Sequence, residues 1–137
     1  TRRSSDLLAI TRDGHAAHFP FGWGLGWGAV DVVGAELVDP TTVVVSVRNP
    51  GQRPLRSVLF VHAGIEQSEW ERPRRRLVGF ARADVEAGAT VDVEIDVDWS
   101  MLDVRVDGDW VTERGAYVIA VGRYAGDPEA ATIEVHR

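Results

Sequence analysis

The sequence predicts an all-β chain, an antiparallel β-sandwich preceded by an irregular N-terminal arm. Three observations predict it. Short apolar runs are broken at intervals by Gly, Pro, Asp and Asn, the punctuation of strands and turns. One of these runs, Thr90–Asp98, alternates without a fault: Val91, Val93, Ile95 and Val97 share one face and Asp92, Glu94, Asp96 and Asp98 the other. That is the period of a strand with one face in a core and one in water. Residues 19–28, Phe-Pro-Phe-Gly-Trp-Gly-Leu-Gly-Trp-Gly, have neither a helical nor a strand period.

Residues 1–29 carry little regular pattern and read as a linker or arm; residues 30–137 read as the sandwich. Thr41–Arg48 alternates, with Val43, Val45 and Val47 on one face. The turn Asn49–Pro54 leads to a second run, Ser57–Ile65, and a charged, Pro-containing loop over 66–76 passes into Leu77–Ala83. After Thr90–Asp98, the segment Trp99–Asp103 is long enough only for a helical turn. Val104–Val106 and Trp110–Thr112 are expected to pair across Asp107-Gly108-Asp109, because Asp-Gly suits a tight hairpin turn. Ala116–Tyr124 and Ala131–His136 supply the last strands. Glu113-Arg114-Gly115-Ala116-Tyr117 has the form of a tyrosine corner, whose phenol hydroxyl bonds back to upstream backbone. Some seven strands in about 100 residues make the sandwich immunoglobulin-like. Its expected core is Val43, Val45, Val47, Val91, Val93, Ile95, Val97, Tyr117, Ile119 and Val121, with Trp99 and Trp110 also read as core or corner residues.

Composition sets bounds. At 137 residues a single domain is expected, burying about two-thirds of its unfolded surface. Apolar content of 45% and charged content of 26% are those of an ordinary globule. No apolar run approaches the ~20 residues of a membrane-spanning helix, so no membrane partner is expected. A net charge of −6 argues against nucleic acid, whose binding needs clustered cations. With no cysteine, a disulfide framework and thiolate metal sites are excluded and the redox compartment is left open. The first residue is Thr1, with no initiator Met and no leader-like stretch, the form of a fragment or processed product. All 15 basic residues are Arg, which reads as coding bias.

Several motifs together resemble a known family. Phe19-Pro20-Phe21-Gly22-Trp23-Gly24-Leu25 is similar to the linker of family 3 glycoside hydrolases, the β-glucosidase group, with Gly26 in place of the usual Ser and Trp27 in the following aromatic position. Asn49-Pro50-Gly51 resembles that family's Asn-Thr-Gly turn, and Pro73–Phe80 its Arg-Pro-x-Lys-Glu-Leu-Lys-Gly-Phe segment. Ala87-Gly88-Ala89-Thr90, Asp107-Gly108-Asp109-Trp110-Val111 and Gly115-Ala116-Tyr117, with Val121-Gly122 after it, follow in the family's order. The departures are Arg76 for Glu, Val78 for Lys, and Phe60 and His62 where Gln and Tyr are common. The resemblance implies a C-terminal fibronectin type III-like module, non-catalytic, that contacts and stabilises upstream catalytic domains of a β-glucosidase-like enzyme acting on terminal β-linked sugars. The catalytic Asp and Glu of that family belong to the upstream domains, so no catalytic residue is carried over.

The residues themselves nominate contacts. Four large aromatics on a glycine-rich segment would expose roughly 600–1000 Å² if left bare, more than the largest patch on a typical monomer. Phe19, Phe21, Trp23 and Trp27 are therefore expected at an interdomain contact, partly covered by the sandwich's own edge. Arg74 and Arg75, in the basic cluster with Arg72 and Arg76, are expected to reach carboxylates of a neighbouring domain. Trp70, between Glu69 and Glu71, suits either an interface or stacking on a sugar ring. The acidic run Asp92–Asp109 reads as a solvated face, and the paired carboxyls of glycoside hydrolysis are not singled out by it. His15 and His18 lie three apart, but Gly14 and Pro20 oppose a helix and no third ligand is spaced with them, so no metal and no cofactor is expected. The competing reading is an independent carbohydrate-binding or protein-interaction sandwich, which would display several aromatics on one face or loop end.

Overall fold

The computed structural model describes residues 14–24 and 26–137; Leu25 of the linker motif and the first thirteen residues of the arm lie outside it. Nine strands are found among the described residues: β1 (Asp31–Asp39), β2 (Thr42–Arg48), β3 (Leu55–Ile65), β4 (Arg76–Val85), β5 (Thr90–Asp96), β6 (Val104–Val106), β7 (Asp109–Val111), β8 (Ala116–Gly122) and β9 (Ala131–His136). A 3₁₀ turn, Trp99–Leu102, sits between β5 and β6. One sheet has the order β1-β2-β5 and faces a second of order β4-β3-β8-β9, while β6 and β7 form a separate ribbon. All pairings are antiparallel. This is the expected sandwich.

The core follows from the period of two. Val43, Val45 and Val47 are fully buried and stand opposite Ile95, Val93 and Val91 in the β2–β5 ladder. From the other sheet, Leu59, Val61, Tyr117, Ile119 and Val121 close against them. Two expected core residues, Val91 and Val93, are only half-buried. The reason is that β5 is an edge strand which meets β4 only at its far end. There Asp98 N–H donates to the Val78 carbonyl at 2.8 Å, and a Cβ on Gly79 would lie 2.3 Å from the Asp96 carbonyl oxygen. Ile95 and Val97 lie under that closure; Val91 and Val93 do not.

Strand β1 is absent from the sequence reading. Register shifts after Val32 and after Leu37 break its alternation, so its inward residues are Val32, Ala35 and Leu37. Such bulges scramble the two-residue period that would have announced the strand. Turns behaved as their residues dictate. Asn49 is fully buried, its amide donating to the Arg53 and Val85 carbonyls at 2.7 and 3.0 Å and its oxygen accepting from Gly51 N–H at 2.9 Å. Asp107 and Gly108 take φ of 51° and 99°, the left-handed pair of a two-residue hairpin, and join β6 to β7. Tyr117 Oη donates to the Glu113 carbonyl at 2.5 Å, which is the tyrosine corner. Trp99 is buried, its indole N–H donating to the Pro40 carbonyl at 2.6 Å. Trp110 is not a core residue: it is 66% exposed. The β6–β7 ribbon stands apart from both sheets, and Trp110 pairs with the exposed Arg105 on its outer side.

Candidate functional site

Outward residues of the four-stranded sheet build the first surface. Because Leu59, Val61 and Ala63 of β3 face the core, Val58, Phe60 and His62 must face out. Phe80 of β4 stands opposite Phe60 and is 65% exposed. Across this face lies the arm. A turn closed by Trp23 N–H to the Pro20 carbonyl (2.9 Å) places Gly22 against Phe60, where a Cβ would come within 2.6 Å of the ring. Gly22 has φ 85°, so both its backbone and its contact require glycine. The Phe21 carbonyl accepts from Ala125 N–H at 2.8 Å, which ties the arm to the β8–β9 connection.

The rings then meet edge to face. Phe21 lies 5.4 Å from Phe60 and 6.4 Å from His62, and Trp23 lies 4.8 Å from Tyr124. Such edge contacts add about 0.5–1.5 kcal/mol each beyond area burial. A cleft of ≈ 500 Å³ opens between arm and sheet, lined by Trp23, Arg56, Phe60, Arg123 and Tyr124 among others. Its Arg123 is already engaged: the guanidinium bonds both oxygens of buried Asp127 at 2.8 and 2.9 Å and also reaches Glu129. Burial pushes the Asp127 carboxyl up, but bonds from Arg123 and from the Arg123 and Glu129 amides outweigh it and hold the carboxyl at about 2.

The 66–76 loop returns over the same face. Its Arg74 carbonyl passes so close above Gly64 that a Cβ there would stand 2.0 Å away. Arg75 donates to the Val118 carbonyl at 2.9 Å, and its charge, after burial, helps to hold His62 below the usual imidazole range. The structure thus brings Phe21, Trp23 and Arg75 together around Phe60 and His62. Phe19 and Trp27 project from the arm into solvent, and Arg74 is exposed beside Arg75. In the sequence Phe60 and His62 stand out only as departures from the family pattern, and Phe80 and Tyr124 are not among the candidate site residues. For Phe60, His62 and Phe80 the signal is a ring at an even position of a strand whose neighbouring odd positions are core; Tyr124 lies beyond the end of β8, where no strand period applies. His15 and His18 are exposed on the arm, and no three metal-ligating side chains converge among the described residues.

Trp70 lies elsewhere, at the end of the sandwich where β3 and β8 meet the tyrosine corner. Its loop is braced by Glu113, which is buried. Glu113 accepts from Glu69 N–H at 2.8 Å, Ser68 Oγ at 2.7 Å and Arg72 Nη1 at 3.0 Å. Arg72 and Glu113 side chains are each 7% exposed, and the second Arg72 nitrogen bonds the Leu102 carbonyl. Burial raises the Glu113 carboxyl, but its three donors outweigh burial and hold it below the usual range. Trp70 itself is exposed, its backbone N–H donating to Ser68 Oγ at 3.1 Å.

Comparison with known proteins agrees with this architecture. Residues 57–125 match the fibronectin type III-like domain model. Among curated relatives, a β-glucosidase of Rhizobium radiobacter is 32% identical over 127 residues, covering 86% of this chain and 15% of the relative. An exo-α-(1→6)-L-arabinopyranosidase of Bifidobacterium longum is 29% identical, covering 80% of this chain and 15% of its own length. The chain therefore spans about 15% of these relatives. Among solved structures, the Streptomyces venezuelae β-glucosidase DesR superposes with a TM-score of 0.84 at 23% identity, over 94% of this chain and 17% of that one. The GH3 β-glucosidase of Bifidobacterium adolescentis gives 0.82 at 23% identity, over 95% and 20%. The chain belongs to the fibronectin type III-like domain family, and it is similar to the part of the β-glucosidases that makes up about 15% of their length.

Proposed function

We propose that the chain is a non-catalytic accessory module of a β-glucosidase-type enzyme acting on terminal β-linked sugars. In this reading residues 1–29 are the interdomain linker and 30–137 the docked sandwich. The upstream catalytic domains of the same polypeptide are the partner, stabilised by the contact. One observation carries the reading. The arm and the outer sheet face leave Phe19, Phe21, Trp23, Trp27 and Phe80 exposed together, an aromatic surface that a solitary globule would cover. In this reading the exposed Arg74 and Arg75 pair with carboxylates across the contact, Arg75 using the donors left after its bond to the Val118 carbonyl.

The test has two arms. Coding sequence continuous with Thr1 on its upstream side is expected to specify two further domains; a start codon immediately before Thr1 refutes the reading. In the isolated chain, replacing Trp23 and Trp27 by Ser is expected to reduce self-association in sedimentation velocity. The melting midpoint should change little, because neither indole is in the core. Unfolding by that double substitution would make the arm part of the core and defeat the docking role.

A further inference from the structure

The β6–β7 ribbon carries an Asp-Gly dipeptide that neither the core nor the docking face uses. Asp107 and Gly108 form its turn; both are exposed, with φ of 51° and 99°. The ladder ends on the Val106–Asp109 pair, so the Gly108 N–H takes no part in it. A Cβ built on Gly108 would meet nothing within 4 Å, which leaves the approach to its nitrogen open. The Asp107 carboxyl is free as well. Among the described residues it has no ion pair and no hydrogen bond, whereas those of Asp39, Asp84, Asp92, Asp98, Asp103 and Asp127 are each held by a partner.

We propose that Asp107–Gly108 is a site of spontaneous isoaspartate formation, reached whenever the ribbon opens, with water as the only co-reactant. The Gly108 nitrogen attacks Asp107 Cγ and an N–Cγ bond forms. The carboxyl hydroxyl leaves with the amide proton as water, which gives a succinimide ring. Water then adds to one ring carbonyl. Addition at Cγ breaks the new bond and restores aspartate; addition at the backbone carbonyl breaks the old peptide bond and routes the main chain through Cβ and Cγ. A bulky following residue hinders the attack, and proline has no proton to give up. Every other Asp of the described chain precedes Val, Trp or Pro. A closed two-residue turn restrains the rotation that brings the nitrogen to Cγ, so the ribbon must open first. It is built to open: three residues per strand, no place in either sheet, and a base pinned by Thr112 Oγ1 donating to Asp103 at 2.7 Å. The product adds a backbone atom to the turn, so Val106 and Asp109 lose their pairing and Trp110 its register with Arg105. Isomerisation here depends on nothing the module docks against.

The experiment ages the ¹⁵N-labelled 137-residue chain for several weeks at mildly acidic pH and then digests it with trypsin, whose cuts after Arg105 and Arg114 isolate Val106–Arg114. A second form of that peptide should accumulate, of unchanged mass and with isoaspartate placed at position 107 by electron-transfer fragmentation. A new Trp110 indole resonance should grow in step with it. Asp107→Gly should abolish both, since Gly-Gly keeps the turn without the carboxyl. Thr112→Val should raise the rate roughly two- to fivefold by populating the open ribbon. Four results overturn the proposal: isoaspartate formed only in urea-unfolded chain; isomerisation at Asp109, or at Asp13 outside the described residues, with none at Asp107; a new Trp110 resonance that persists in Asp107→Gly; or no acceleration in Thr112→Val.

Discussion

Replacing Glu113 by Gln tests whether the brace at the tyrosine-corner end does what its geometry says. The carboxylate is buried and takes three donors; Gln keeps its shape but loses the charge and presents an amide nitrogen where an acceptor stood. Arg72, 7% exposed, then keeps the Leu102 carbonyl and its interaction with the Tyr117 hydroxyl but has lost its carboxylate partner. Removing one member of a buried pair typically costs ~3–5 kcal/mol, chiefly because the other charge stays buried and uncompensated. Gln retains an acceptor for one donor, so the lower end, about 3 kcal/mol, is expected. For a domain of this size that is a fall of roughly 8–12 °C in Tm. Arg72→Leu removes the charge that would be orphaned. The double variant Glu113→Gln/Arg72→Leu should therefore be less destabilised than the two single losses sum to, with a coupling of ~1.5–3 kcal/mol. Urea unfolding of the four proteins measures the cycle. A loss below about 1 kcal/mol for Glu113→Gln, or no coupling, would show the pair to be screened by solvent and the loop to be held by its backbone.

Three further outcomes are expected. Gly64→Ala should lose ~2–3 kcal/mol, because its Cβ meets the Arg74 backbone and not a yielding side chain. Gly34→Ala, with nothing within 4 Å, should be nearly neutral, and equal losses would refute the close approach. The stability should fall with acid in two windows. Unfolded His62 takes its proton near 6.5 while the folded imidazole, held lower by burial and then Arg75, resists, so stability declines as pH drops below about 6.5. Asp127, at about 2 folded against 3.8 unfolded, contributes about 2 kcal/mol above pH 4, lost as pH falls toward 2. In acid titrations of Tm, His62→Gln should remove the upper window and Asp127→Asn should shrink the lower one, leaving the share contributed by the depressed Glu113 carboxyl; an upper window that persists, or a lower one that does not shrink, contradicts its assignment. Finally, the purified chain should not turn over an aryl β-glucoside. Turnover abolished by substituting one of its own carboxylates would end the accessory-module reading.

The sequence by itself determined the features whose cause is local. The alternation of β2 and β5, the Asp107-Gly108 turn, the Asn49-Pro50-Gly51 turn and the Tyr117 corner all depend on residues within a few positions of one another, and each is where its pattern places it; the burial of Asn49 needed the Val85 carbonyl, 36 positions on. Tertiary structure decided what depends on register and on partners far along the chain. Bulges hid β1, because one inserted residue erases the two-residue period. Phe60 and Phe80 became neighbours only through the β3–β4 ladder, and Phe21 joined them only because Gly22 fits against Phe60. Arg72 and Glu113, 41 positions apart, have no pattern linking them until the corner and the loop are folded. Trp110 looks like a core residue in a short apolar run. It is exposed because its ribbon joins neither sheet, and which sheet a strand joins is a property of the whole fold.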